Sequence, residues 1–107
     1  MGQEKNMIHA SRVIEKCEAF RAQTQIRVTR PAQTLLTSIL NDVVLDPHPS
    51  WKQIDRTERQ RHAEIYLDRL PEMLGMLVEK RPGITVVTSF DILNEFSALC
   101  KVICFED

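Results

Sequence analysis

The sequence predicts an all-α protein, a single helical domain over residues 1–107 built as a small bundle of three to four helices. Apolar residues recur at spacings of three and four over most of the chain, which is typical of helices that bury one face. Only "ITVV" at 84–87 has the β-branched character of a strand. The length of 107 residues suits one domain, since domains cluster near about 100–150 residues.

The first two helices are predicted from their apolar stripes. The stripe of the first consists of Met7, Ala10, Ile14, Cys17 and Phe20, with Val13 alongside. The stripe of the second consists of Ala32, Leu35, Leu36, Ile39, Leu40, Val43 and Val44. Thr29 and Pro31 supply a cap and a first turn for the second helix.

The third helix is predicted to be long and kinked near Pro71. "DPHPS" at 46–50 ends the second helix, because each proline disfavours the helical conformation in the residue before it. Ser50 and Gln53 then form a capping-box pattern. "DRTERQRHAE" at 55–64 has no large apolar residue, and the stripe resumes at Tyr66, Leu67, Leu70, Leu74 and Leu77. Pro71 must kink this helix or restart it.

A fourth helix is predicted after a short extended segment at 84–87. Thr88 or Ser89 can cap it, and Asp91 in its first turn favours the positive end of the helix dipole. From residue 90 to 105 the helix is apolar nearly all round, and such helices are normally buried. Three short helices can hardly surround it, so part of its surface is expected to meet a second copy or another protein.

Charge and composition narrow the partners and the compartment. Fourteen Lys and Arg against fifteen Asp and Glu give a net charge of -1, so no overall basic field draws in nucleic acid. No stretch approaches the roughly 18 apolar residues of a membrane span. The beginning of the chain lacks the pattern of an export signal, and three cysteines without such a signal favour the cytoplasm.

The sequence contains part of a zinc motif but does not complete it. His62 and Glu64 in "RHAEIY" match the H-x-E half of a zinc deaminase site, in which a glutamate moves protons. The second half fails, because Cys100 and Cys104 are four residues apart and no proline precedes the first. The simpler interpretation makes these two cysteines and Cys17 small buried hydrophobes. No nucleophile elbow and no Gly-rich phosphate loop is found, so neither catalytic residues nor a metal or cofactor is expected.

These observations favour a small non-enzymatic regulator that masks or inhibits a partner protein, of the antiactivator, immunity or chaperone and adaptor type, and that also forms a homodimer. The predicted interface, with itself or with the partner, consists of Phe90, Leu93, Phe96, Leu99, Cys100 and Ile103. A polar rim is predicted at Arg56, Arg59, Arg61 and His62. The alternative is a nucleic-acid-binding transcriptional regulator using the Arg-rich third helix, which is less favoured because acidic neighbours balance its arginines. A zinc-dependent enzyme is the third hypothesis.

Overall fold

The computed structural model describes residues 8–45 and 54–95. They form five helices and one short parallel strand pair, which confirms the mostly helical class. The elements in chain order are α1 (Ala10–Thr24), β1 (Arg27–Val28), α2 (Arg30–Leu45), α3 (Arg56–Asp68), α4 (Leu70–Lys80), β2 (Val86–Val87) and α5, which is described over 89–95. Within the described ranges, no helix combines the length and apolar composition needed to cross a membrane.

α1 buries Val13, Cys17 and Phe20, so its core face is narrower than the predicted stripe. Ala10 is exposed and Ile14 keeps 44% of its surface in solvent. Val13 is fully buried, whereas Ile14, about 100° further round the helix, lies at the edge of the face that packs on the core and stays partly exposed. The predicted burial of Ala10 and Ile14 is therefore wrong.

α2 has the buried face that its sequence predicts. Every fourth residue from Ala32 is buried, and three apolar neighbours are partly buried beside them; the two sets are Ala32, Leu36, Leu40 and Val44, and Leu35, Ile39 and Val43. The Thr29 side chain accepts a hydrogen bond from the Ala32 N–H at 3.3 Å, as the predicted cap requires.

The chain from 56 to 80 forms two helices where the sequence predicted one kinked helix. α3 begins at Arg56, with Asp55 as its cap accepting from the Glu58 N–H at 3.0 Å. The predicted capping-box serine, Ser50, lies outside the described residues. α3 ends at Asp68, and α4 restarts at Leu70 with Pro71 in its first turn, where the missing proline N–H does not interrupt a helical hydrogen bond.

The strand pair joins two distant parts of the chain. β1 and β2 run parallel, with Arg27 opposite Val86 and Val28 opposite Val87. The Thr29 N–H extends the ladder by donating to the Val87 carbonyl at 3.0 Å. β2 lies inside the extended segment predicted at 84–87, whereas β1 was not predicted. Since the strands are parallel, the starts of α2 and α5 lie side by side.

The buried side chains form one cluster shared by all the described helices. α1 packs against α2, α3 and α4, and α2 packs against α3. Polar contacts fasten the same helices at the surface. Both carboxylate oxygens of Glu64 on α3 accept from Arg12 on α1, at 2.8 and 3.1 Å. Asn41 on α2 exchanges two hydrogen bonds with the backbone of Ile8, at 2.7 and 3.1 Å.

Candidate functional site

The start of α5 is anchored by a complete capping box. The Thr88 N–H donates to the Asp91 carboxylate at 2.9 Å, and the Asp91 N–H donates back to the Thr88 hydroxyl oxygen at 3.4 Å. The Thr88 hydroxyl also donates to Asp91, at 3.0 Å, and Arg81 lies 3.3 Å from its other oxygen. Asp91 is only 5% exposed, so these donors replace the water that its charge has lost.

α5 turns two large apolar side chains to solvent. Phe90 is 64% and Leu93 65% exposed, whereas Ile92 is buried in the core. Residues three apart share one helix face, so Phe90 and Leu93 form a continuous patch, called here the α5 apolar face. These are two of the six predicted interface residues. The other four, Phe96, Leu99, Cys100 and Ile103, lie outside the described residues.

The predicted polar rim residues lie on α3 and have different roles there. Arg59 donates to the Val44 carbonyl at 3.1 Å and to the Ile54 carbonyl at 2.7 Å, so it fastens the end of α2 to the approach to α3. Arg61 pairs with Glu58 at 2.9 Å and remains exposed. Arg56 is exposed and His62 is half-buried. Arg59 is therefore engaged in the fold, and of the arginines Arg56 and Arg61 are the more accessible.

The carboxylate of the partial zinc motif is held in an ion pair. The hydrogen bonds from Arg12 lower the pKa of Glu64, and the Gln60 amide adds another donor at 3.1 Å. A carboxylate kept ionised in this way suits a structural contact better than repeated proton transfer. Within residues 8–45 and 54–95, no three His, Cys, Asp or Glu side chains gather as metal ligands. The two cysteines of the motif, Cys100 and Cys104, lie outside those ranges.

A cleft lies between α1 and α2, beside β1, and was not predicted. Its volume is about 530 Å³, within the range of small-molecule pockets, about 300–1,000 Å³. One part of its lining is apolar, from Ala10, Ile14 and Cys17 of α1. Another part carries three arginines, Arg21 of α1, Arg27 of β1 and Arg30 of α2. It is called here the α1–α2 cleft.

The arginines of the α1–α2 cleft carry charge that little around them neutralises. Arg27 and Arg30 are exposed, and neither side chain has an ion pair or hydrogen bond to any described residue. Arg21 has Glu18 at 3.7 Å, and Glu18 is the one acidic residue among the described residues that line the cleft. The sequence already indicates this excess of basic charge, because no Asp or Glu occurs from 19 to 41.

Cys17 forms part of the apolar lining of the cleft. Its side chain is buried, and the burial raises the pKa of the thiol to about 12. Since only the thiolate is a good nucleophile or metal ligand, Cys17 stays an uncharged, unreactive thiol at neutral pH. For this cysteine, the interpretation as a buried hydrophobe agrees with the structure.

Comparisons of the chain with protein-family models, with curated proteins and with solved structures found no match. Among the described residues, the two candidate binding features are the α5 apolar face and the α1–α2 cleft.

Proposed function

We propose that this protein is a small non-enzymatic regulator that binds a partner protein through the α5 apolar face and forms a homodimer through the same surface. The observation that carries the proposal is the exposure of Phe90 and Leu93, at 64% and 65%, side by side on one helix. Removing a large apolar side chain from water contributes about 1.5–3 kcal/mol, so this pair favours a covered state.

The α5 apolar face differs from the other exposed apolar residues. Ile14, Leu45 and Ile65 are 38–46% exposed and lie on three different helices. Apolar residues scattered singly over a surface are ordinary in soluble proteins, whereas adjacent ones point to an interaction site. Phe90 and Leu93 are both more exposed and closer together in the chain.

The rigid start of α5 supports binding through this helix. The capping box of Thr88 and Asp91, with Arg81 against the carboxylate, holds the first turn in place before any partner arrives. A surface that is already ordered loses less conformational entropy when it binds. We infer that α5 is presented as a fixed element rather than one that folds on its partner.

The non-enzymatic part of the proposal is supported by the roles of the charged residues on α3. Glu64 is committed to Arg12 and Arg59 to backbone carbonyls, which leaves both poorly placed for substrate chemistry. The pairing of Arg61 with Glu58 likewise weakens the nucleic-acid alternative, because phosphate recognition needs basic charge that is not neutralised on the protein.

The proposal is tested with the double variant Phe90→Glu, Leu93→Glu and the matched control Leu45→Glu, Ile65→Glu, which places two charges on exposed apolar residues elsewhere. Sedimentation velocity over a concentration series should show a dimer for the wild type and the control and a monomer for the α5 variant. Circular dichroism should show unchanged helix content in all three, since the replaced side chains are exposed.

Affinity capture with the same three proteins tests the heterologous partner. A regulator of this kind retains one protein in stoichiometric amount on the wild type and on the control, and loses it on the α5 variant. If the α5 variant keeps both its oligomeric state and every captured protein, the α5 apolar face is not the interface.

A further inference from the structure

We propose that the α1–α2 cleft binds a small phosphate monoester whose phosphate contacts Arg21, Arg27 and Arg30 and whose apolar body packs against Ile14. This site is separate from the α5 apolar face and does not depend on the proposed function. Nucleoside monophosphates and phosphatidic acid are two sources of such a ligand; they share the phosphate monoester and differ in the group attached to it.

The charge of the cleft fits a phosphate. Arg27 and Arg30 have no counter-charge among the described residues, and Arg21 is the only one of the three with a nearby carboxylate. Guanidinium groups offer paired N–H donors that match two oxygens of one phosphate. A phosphate monoester carries close to two negative charges at neutral pH, so it can neutralise more than one arginine at once.

The apolar wall of the cleft fits the rest of the ligand. Ile14 is 44% exposed and belongs to the cleft lining, so its apolar surface borders the space that the body of the ester would occupy. Ala10 extends the wall, and Cys17 closes it with a thiol that burial keeps protonated. A free phosphate ion gains nothing from this wall, whereas an ester with an apolar body does.

The elements that carry the arginines are fixed relative to one another. Arg27 lies in the strand pair opposite Val86, and the Gln33 side chain ties α2 back to β1 by donating to the Val28 carbonyl at 3.0 Å. Two of the three arginines therefore project from a braced junction. Sites on rigid elements hold their ligands in a defined geometry.

The size and composition of the cleft favour a small ligand over a macromolecule. The volume of about 530 Å³ is that of a small-molecule site. A docked helix needs several apolar anchors in a row, and among the lining residues that the structure describes Ile14 is the one large exposed apolar side chain. A nucleic acid chain needs a longer basic stripe, whereas this chain has a net charge of -1.

The test is isothermal titration calorimetry at low salt with four probes: inorganic phosphate, phenyl phosphate, AMP and dihexanoyl phosphatidic acid. Phenyl phosphate should bind more tightly than inorganic phosphate, and the stronger of AMP and the lipid identifies the source. Arg27→Gln, Arg30→Gln should weaken every phosphate ester about tenfold or more, the effect of losing charge-assisted hydrogen bonds. The control Arg56→Gln, Arg61→Gln, on exposed arginines of α3, should leave the affinities unchanged.

A substitution of Ile14 tests the contribution of the apolar wall separately. Ile14→Ser should weaken phenyl phosphate and leave inorganic phosphate unaffected, because only the ester contacts the wall. The proposal is wrong if no probe binds the wild type, or if the control weakens binding as much as the cleft variant does. Tighter binding of a single-stranded oligonucleotide than of any ester, with a steep salt dependence, would replace the small ligand by nucleic acid.

Discussion

The described structure has two halves, 8–45 and 54–95. Each half contains one junction between helices with the same order of backbone features, but the two junctions differ in surface charge. In each half a helix ends, one residue takes a positive φ, a two-residue strand follows, and a threonine caps the next helix. Gln25 at φ 66 and Thr29 occupy these positions between α1 and α2, and Gly83 at φ 88 and Thr88 occupy them between α4 and α5. The parallel register places the two threonines side by side.

The difference between the two junctions lies in the charge at the third residue after each cap. At the second junction this residue is Asp91, which completes the capping box and binds Arg81. At the first junction it is Ala32, which only donates its N–H to Thr29, while Arg30 stays unpaired among the described residues. The charges of the second junction pair with one another, and it is called here the closed junction. The first presents the charge of Arg30 to the α1–α2 cleft, and it is called the open junction. The same order of backbone features thus anchors the start of α5 in one half and leaves a candidate binding surface in the other.

The largest effect is expected from opening the closed junction. Asp91→Ala removes the partner of the Thr88 N–H, of the Thr88 hydroxyl and of Arg81 from a site that is 5% exposed. The free energy of unfolding should fall by about 2–3 kcal/mol, the cost of a lost cap plus partly buried donors left without acceptors. Urea denaturation followed by circular dichroism measures this change.

The control for Asp91 is another carboxylate without such contacts. Asp42 on α2 is exposed, and its side chain has no hydrogen bond or ion pair to a described residue. Asp42→Ala should therefore change the free energy of unfolding by less than about 0.5 kcal/mol. Equal losses for the two variants would show that the capping box does not set the stability of the second junction.

A smaller effect is expected at the open junction. Thr29→Ala removes one side-chain hydrogen bond to the Ala32 N–H, at 3.3 Å, and no reciprocal carboxylate. The free energy of unfolding should fall by about 1 kcal/mol, as for a single N-cap. The same urea titration measures it. A loss as large as that of Asp91→Ala would contradict the difference between the two junctions.

Much of the fold follows from the sequence because it depends on local periodicity. The stripes of α2 and α4 and the threonine cap of α2 are explicit in the order of apolar and hydroxyl residues, and the structure agrees with them. β1 was missed because two residues carry no period, and it forms only through pairing with β2, about 60 residues away. The side of α1 that enters the core likewise depends on tertiary packing, which decides between Val13 and Ile14.

The candidate sites were predictable to different degrees. Phe90 and Leu93 stand out as apolar residues on a helix that has little polar surface, and the structure leaves both exposed. The α1–α2 cleft was not predicted, because the arginines are densest at 55–64, where acidic residues balance them. The sparser arginines of the cleft lie in a stretch without any acid, from 19 to 41. Local charge balance therefore indicates a candidate anion site better than the density of arginines does. Only the fold, however, brings Arg21, Arg27 and Arg30 to one cleft.

Replacing Arg12, which pairs with Glu64, should change how the stability of the protein responds to acid, whereas replacing Arg27 should not. Hydrogen bonds from Arg12 lower the pKa of Glu64 in the folded protein below its ordinary value of 4.5. The stabilisation is therefore fully present above that value and is lost as the pH falls through the lower folded pKa. Both side chains are over a third exposed, which limits the contribution to about 0.5–1 kcal/mol.

This prediction is checked by urea titrations at neutral pH and near pH 3. Arg12→Gln should destabilise the protein at neutral pH and reduce the part of the acid-induced loss that comes from Glu64. Arg27→Gln, which removes an arginine without an ion pair to any described residue, should leave the stability unchanged at both values, since surface changes of this kind are within about 0.5 kcal/mol. Equal behaviour of the two variants would show that the contact between Arg12 and Glu64 contributes nothing to folding.

The smallest effect concerns the positive-φ residue of each half. Gln25 holds φ 66 with a side chain that disfavours it, whereas Gly83 holds φ 88 without that cost. Gln25→Gly should raise the free energy of unfolding by about 0.5 kcal/mol, the relief of strain less the greater flexibility of glycine in the unfolded chain. Gly83→Ala should change it in the opposite direction, and because a Cβ there meets no atom within 4 Å, the loss reports the backbone alone. Thermal denaturation of both variants should therefore move Tm in opposite directions, and a shift of the same sign would show that the two turns are not equivalent.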